Sequence, residues 1–143
     1  MNFSSGIICR YGCGPDAVLD NETGLVWDRS TALAGLGAGG NFDWNSAHVH
    51  CNTLKNGSRT GWRLPTLQEL GSLVDLSESN PSLPSGHPFF NVGGFSYWSA
   101  TSSSYSPNLA WFVSFFDGSQ KVDFKYVEHG AWCVRSGQGV DPQ

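Results

Sequence analysis

At 143 residues the chain is one domain of ordinary size, long enough to enclose a hydrophobic core. Only 14% of residues are charged, against about a quarter in most soluble proteins, and the net charge is −4 with a pI near 5.4. That balance argues against a general binder of nucleic acid or another anionic polymer, and with 18 glycines and 6 tryptophans it leaves Ser, Asn, Thr and Gly to make most of the polar surface.

The start, Met1-Asn2-Phe3-Ser4-Ser5-Gly6-Ile7-Ile8-Cys9, lacks the charged n-region and long apolar h-region of a signal peptide. No apolar run approaches the ~20 residues of a transmembrane helix, so membrane insertion is not expected. Residues 1–16 read as an N-terminal segment, 17–137 as the domain and 138–143 as a tail. Cys9-x3-Cys13 sits in a Gly-rich turn and suits a small local disulfide. The alternative, a zinc site, would need further ligands from His48, His50 or Cys51. His48 and His50 are two residues apart and point to different faces of a helix, which counts against it.

Ala17 to Leu19 and Leu25 to Trp27 are predicted strands around the turn Asp20-Asn21-Glu22-Thr23-Gly24. The glycine-rich stretch from Leu33 to Gly40 is a loop and lacks the G-x-G-x-x-G order of a phosphate cradle. Asn41 or Asp43 caps a helix in which Trp44, Ala47, Cys51 and Leu54 share the buried face, with Gly57 as the stop. A denser signal follows in Gly61-Trp62-Arg63-Leu64-Pro65-Thr66-Leu67-Gln68-Glu69-Leu70. Trp62 and Leu64 alternate with Arg63 as in a half-buried strand, and Pro65 ends it because proline has no N–H for a ladder. Thr66 and Glu69 then form a capping box, and Leu67, Leu70, Leu73 and Val74 give the next helix its apolar stripe.

After Asp75 the X-Pro pairs Asn80-Pro81, Leu83-Pro84 and His87-Pro88 forbid regular structure, and Phe89, Phe90 and Val92 are expected to anchor this loop to the core. Tyr97 to Thr101 is a strand, followed by a polar loop from Ser102 to Asn108. In Ala110 to Phe116, alternation puts Trp111, Val113 and Phe115 on one face and Phe112, Ser114 and Phe116 on the other. Asp117-Gly118 is a hairpin turn, Lys121 to Lys125 returns, and Ala131 to Ser136 closes the sheet. Two helices followed by short antiparallel strands make the fold class α+β.

Catalytic motifs are missing. No G-x-S-x-G elbow, H-E-x-x-H helix or motif-placed carboxylate pair frames the available Ser, His and Asp residues. No D-x-D-x-D-G loop is present either, nor the Glu-Pro-Asn or Trp-Asn-Asp triplets of calcium-dependent sugar-binding lectins. Calcium held by Asp, Asn and backbone oxygens has no motif behind it, and no cofactor is expected.

The corner Trp62-Arg63-Leu64-Pro65-Thr66 resembles that of C-type-lectin-like domains of the formylglycine-generating-enzyme type. It lies between Leu19-Asp20-Asn21-Glu22-Thr23-Gly24-Leu25-Val26-Trp27 and, downstream, Tyr97-Trp98-Ser99-Ala100-Thr101, Ala110-Trp111-Phe112-Val113-Ser114-Phe115 and Trp132-Cys133-Val134-Arg135. In that order the segments resemble the C-terminal domain of Legionella collagen-like adhesins, and are similar to the variable proteins of diversity-generating retroelements. The resemblance runs from Val18 to Gly137.

The resemblance implies a C-type-lectin-like fold in which a disulfide joins the first helix to the final strand. Cys51 and Cys133 occupy those elements, which leaves Cys9 with Cys13. Two disulfides imply an oxidising location: secreted, displayed on a cell surface or carried on a virion. In retroelement-diversified relatives, ligand-contacting positions lie between the Trp-Ser-x-Thr strand and the Cys-Val-Arg strand. The matching residues here are Ser102, Ser103, Ser104, Tyr105, Ser106, Asn108, Phe112, Ser114, Asp123, Tyr126, Glu128 and His129. Tyr offers contact area at low entropic cost, and Ser and Asn offer adaptable hydrogen bonds, so Tyr105, Phe112 and Tyr126 are the expected anchors.

The leading expectation is a non-enzymatic domain that binds a protein or glycan on a cell surface. The resemblance to collagen-like adhesins implies an alternative, a module for sulfated polysaccharides resting on Lys121, Lys125 and Arg135, and it allows a trimer. A third reading, an enzyme of the formylglycine-generating type, is disfavoured. Such enzymes use a pair of reactive cysteines in their C-terminal half, which here holds only Cys133.

Overall fold

The computed structural model describes residues 3–5, 17–29, 42–54, 60–90 and 92–136. Among them are two helices and two small antiparallel sheets, an α+β arrangement. The first sheet has the order β1-β2-β3-β7, with β1 at Phe3–Ser5, β2 at Ala17–Asp20, β3 at Val26–Asp28 and β7 at Val134–Arg135. The second has the order β4-β5-β6, with β4 at Ser96–Ser102, β5 at Leu109–Ser114 and β6 at Gln120–Phe124. Helix α1 spans Trp44–Asn52 and α2 spans Leu67–Gly71.

The hairpin around Asp20 to Gly24 forms as its turn residues require. The Asp20 carboxylate accepts from the Glu22 N–H at 3.0 Å, and Gly24 takes φ +78°, which a side chain would resist. Asp43, of the two cap candidates, accepts from the Ser46 N–H at 2.7 Å and starts α1. The α1 stop expected at Gly57 lies outside the described residues; the helix itself ends at Asn52 with Thr53 as cap.

The capping box at the corner is present in both halves. Thr66 Oγ1 accepts from the Glu69 N–H at 3.2 Å, and Glu69 Oε1 accepts from the Thr66 N–H at 2.9 Å. Arg63 adds a bidentate pair to Glu69 at 2.7 and 2.8 Å, which holds the Glu69 carboxyl below its ordinary pKa. Two expectations are corrected here. Trp62 to Leu64 is no strand but a single bridge, Arg63 to Val134, because Pro65 cuts the ladder short. Helix α2 stops at Gly71, and Leu73 and Val74 continue the stripe through bonds to Leu70 and Gly71 that tighten the last turn.

The core has two parts, one on each face of the β4-β5-β6 sheet. Ala110 and Phe112 join the cluster containing Trp98, Ala47, Cys51 and Cys133, while Val113 and Phe115 join the cluster containing Trp27, Tyr97 and Trp132. A central strand covered on both faces explains why Ala110 to Phe115 is nearly all apolar. It also corrects the reading of Phe112 as outward: the ring is 8% exposed, stacked on His129 at 4.2 Å and edge-on to Trp98 at 6.2 Å.

Cys51 and Cys133 form a disulfide with Cα atoms 5.4 Å apart, tying α1 to the chain just before β7. The expected Cys9–Cys13 pair lies outside the described residues. The final segment does not close the second sheet as a single strand. Gly130 bridges Tyr97 there, whereas β7 crosses to pair with β3, so the segment staples the two sheets together. The β5–β6 connection is a wider loop than a two-residue hairpin, with the Ser114 N–H bonded to the Ser119 carbonyl and Gly118 at φ +83°. Phe89 and Val92 anchor the long loop from Asp75 as expected, and Leu83 joins them. Phe90 is exposed instead, its ring facing the Arg29 guanidinium at 4.9 Å.

Candidate recognition site

A cleft of about 540 Å³ opens where the start of α1 meets the end of β6, lined by Asp43, Asn45, Asn108, Phe124, Lys125 and Tyr126. That volume falls in the ordinary range for small-molecule pockets, and it would also admit one side chain or sugar unit of a larger ligand. Three chain segments far apart in sequence build it. The Trp44 N–H donates to the Lys125 carbonyl at 2.9 Å, and the Lys125 N–H donates to the Asn108 carbonyl at 2.9 Å. These two bonds clamp helix, loop and turn together through the backbone.

The side chains add a defined chemistry. The Lys125 ammonium sits 4.1 Å from the centre of the Trp44 ring, a cation–π contact that holds the charge at one place in the cleft. Trp44 is itself fixed, its indole N–H donating to the Ser99 carbonyl at 2.9 Å and its ring meeting His48 edge-on at 4.4 Å. Phe124 and Tyr126 stack at 5.3 Å with 14° between their planes, yet Phe124 is 48% and Tyr126 75% exposed. Aromatic surface thus stands in water beside an oriented cation, a carboxylate and two amides.

A second constellation links β6 to the segment that precedes β7. His129 Nε2 meets Asp123 Oδ2 at 3.0 Å while its ring is held between Phe112 and Trp98. Burial pushes the imidazole below its ordinary pKa and the Asp123 carboxylate partly restores it. His48 is lowered by burial and by the nearby Lys125 charge, and His50 by burial. The contact to Asp123 fixes the orientation of the His129 ring against Phe112. Among the described residues no group of three or more His, Cys, Asp or Glu side chains is arranged to hold a metal.

The twelve positions singled out from sequence separate into three sets. Asn108 and Tyr126 line the cleft, and Tyr105, 84% exposed, lies with exposed Ser104 and half-buried Ser106 on the loop leading to Asn108. Ser102 is exposed at the end of β4, and Glu128 is exposed beyond β6. A second set is structural: Phe112 is core, Asp123 and His129 pair beneath it, and buried Ser103 accepts from the Tyr105 N–H at 3.1 Å to shape the loop. Ser114 stands apart at the far end of β5, ~17 Å of strand from Leu109. Of the three basic residues, Lys125 is in the cleft and Lys121 is exposed on β6, but Arg135 is 3% exposed with its guanidinium 5.5 Å from the Trp62 ring. Arg135 is therefore removed from any polysaccharide-binding surface.

Sequence reasoning missed Asp43, Asn45 and Phe124 as cleft residues. Phe124-Lys125-Tyr126 carried a signal, two aromatics flanking a lysine at a strand end. The approach of Trp44 carried none, because it depends on tertiary contact.

These features define a small disulfide-tied α+β domain with a scaffolded surface cleft. The Lcl C-terminal domain family matches residues 16–135, nearly the whole chain, and the chain belongs to that family. No curated protein matches it. No helix among the described residues is long and apolar enough to cross a membrane.

Proposed function

We propose that the chain is a non-enzymatic, extracellular, adhesin-like binding domain on a C-type-lectin-like scaffold, and that its ligand seats in the cleft between α1 and β6. The observation that carries this reading is the exposed Phe124–Tyr126 stack beside a lysine fixed over Trp44. Exposed rings on a rigid framework give contact area without a large ordering cost. Family membership supports the adhesin-like character, and the Cys51–Cys133 disulfide supports an oxidising, extracellular location. The serines, tyrosine and asparagine of the 102–108 loop, which leads into the cleft at Asn108, suit a diversified face. Sequencing the adjacent DNA for a reverse transcriptase and a near-identical template repeat tests that last point.

A second reading, a module for sulfated polysaccharides without Arg135, is favoured by one observation: Lys121 is exposed on β6 and Lys125 lines the cleft just beyond its end. The two readings separate on a glycan and surface-protein array probed at two salt concentrations. Under the first, Tyr126→Ala loses at least ~2 kcal/mol of affinity with melting unchanged, since aromatic anchors dominate interface energetics. Under the second, binding weakens steeply with salt and is lost only in Lys121→Ala and Lys125→Ala. Binding indifferent to all three substitutions moves the site away from the cleft.

A further inference from the structure

Strand β6 closes the order β4-β5-β6, and among the described residues no strand pairs with its outer edge. The phase of its ladder is set at both ends. The Ser114 N–H donates to the Ser119 carbonyl at 2.8 Å, and the Lys125 N–H donates to the Asn108 carbonyl at 2.9 Å. Between them run the pairs Ala110 with Asp123 and Phe112 with Lys121. Alternation therefore commits the backbone groups of Lys121 and Asp123 to β5 and turns those of Gln120, Val122 and Phe124 outward. Phe124 is covered locally, its N–H on Asp123 Oδ1 at 2.9 Å and its carbonyl on the Val127 N–H at 2.9 Å. Val122, at the centre of the edge, has no such cover among the described residues, and an open edge of this kind is a template for another strand.

We propose that this edge is a self-association site, at which a second copy of the chain pairs antiparallel with β6 about a twofold axis at Val122. The sequence Gln120-Lys121-Val122-Asp123-Phe124 is complementary to its own reverse. Centred on Val122, it sets Lys121 opposite the partner's Asp123, and symmetry repeats the pair on the other side. These are the non-hydrogen-bonded positions, where facing side chains approach most closely. A slip of two residues either way places Lys121 opposite the partner's Lys121 or Asp123 opposite the partner's Asp123. Charge thus selects a single register and penalises its neighbours.

At that register Val122 exchanges its N–H and carbonyl bonds with the partner's Val122, making one continuous six-stranded sheet. A five-residue strand contact is small beside the interface of a permanent dimer, so the association is weak and concentration-dependent.

The test is sedimentation equilibrium of the full chain over a concentration series, with amide exchange read residue by residue. The expected result is a monomer–dimer equilibrium in which the Val122 amide gains protection with concentration while the Lys121 and Asp123 amides, already bonded to β5, do not. Lys121→Asp sets carboxylates opposite the partner's Asp123 and weakens the dimer about tenfold or more, with unchanged melting. Asp123→Lys alone also repels, and mixing it with Lys121→Asp restores pairing in the heterodimer. Since Asp123→Lys also removes the contact to His129, Val122→Pro serves as an independent edge variant, deleting an outward N–H while leaving the β5 ladder intact. A chain that stays monomeric throughout, a trimer, or a dimer indifferent to Lys121→Asp and Val122→Pro overturns the proposal.

Discussion

Replacing both Cys51 and Cys133 by alanine is the sharpest test of how this domain is held together. Both residues are fully buried in one core cluster, and the bond between them spans 82 positions of sequence. In the chain-entropy treatment, releasing a loop of that length gives the unfolded ensemble back ~4.5 kcal/mol at 25 °C. Measured effects run below that ceiling, because denatured chains keep residual structure, but removing two buried sulfurs adds a packing loss. The expected net cost is therefore about 3–5 kcal/mol. The assay is urea unfolding followed by tryptophan fluorescence, which reports Trp98 in the same cluster. In a domain of this size such a loss lowers Tm by roughly 10 °C or more. A fall in unfolding free energy below ~1 kcal/mol, with an unchanged m-value, would refute the view that this bond restrains the unfolded chain.

Phe112→Ala should cost ~3–5 kcal/mol, since it empties the space between Trp98 and His129. Tyr126→Ala measured alongside it should leave melting unchanged, and equal melting of the two variants would show that Phe112 is not core. Thr66→Ala removes the cap of α2 and should cost ~0.5–2 kcal/mol by the same urea assay, with a neutral result assigning the corner to Arg63 and Glu69 alone. All four histidines are held below their ordinary value, each chiefly by burial. A depressed folded pKa means the unfolded chain binds protons first, so stability is full above about pH 6.5 and declines as pH falls toward the folded values. The urea midpoint at pH 5.5 should accordingly lie below that at pH 7.5, whereas a flat or inverted profile contradicts the assignment. Below about pH 4.5 the lowered Glu69 carboxyl adds a further loss in the same direction.

Local chemistry in the sequence was enough to place most elements. Gly24 and the Asp20 turn, the Asp43 cap, and the Thr66–Glu69 box each satisfy backbone groups within a few residues, so their signals do not depend on the rest of the chain. The disulfide between Cys51 and Cys133 was legible only through resemblance, because four cysteines alone allow three pairings. Period-two alternation correctly divided Phe112 from Trp111 and Val113, but alternation says which residues share a face and not whether that face is covered. Whether Phe112 is core was decided by His129 and Trp98, which reach it only in the folded chain. The same limit applied to the last segment, where β7 leaves the second sheet because β3 offers it an edge. It applied again to the cleft, where Trp44 and Lys125, 81 positions apart, meet through one backbone bond and one cation–π contact. Contacts between neighbours in sequence are written in residue type and spacing. Contacts between distant segments depend on packing, and packing decided which aromatics remained exposed.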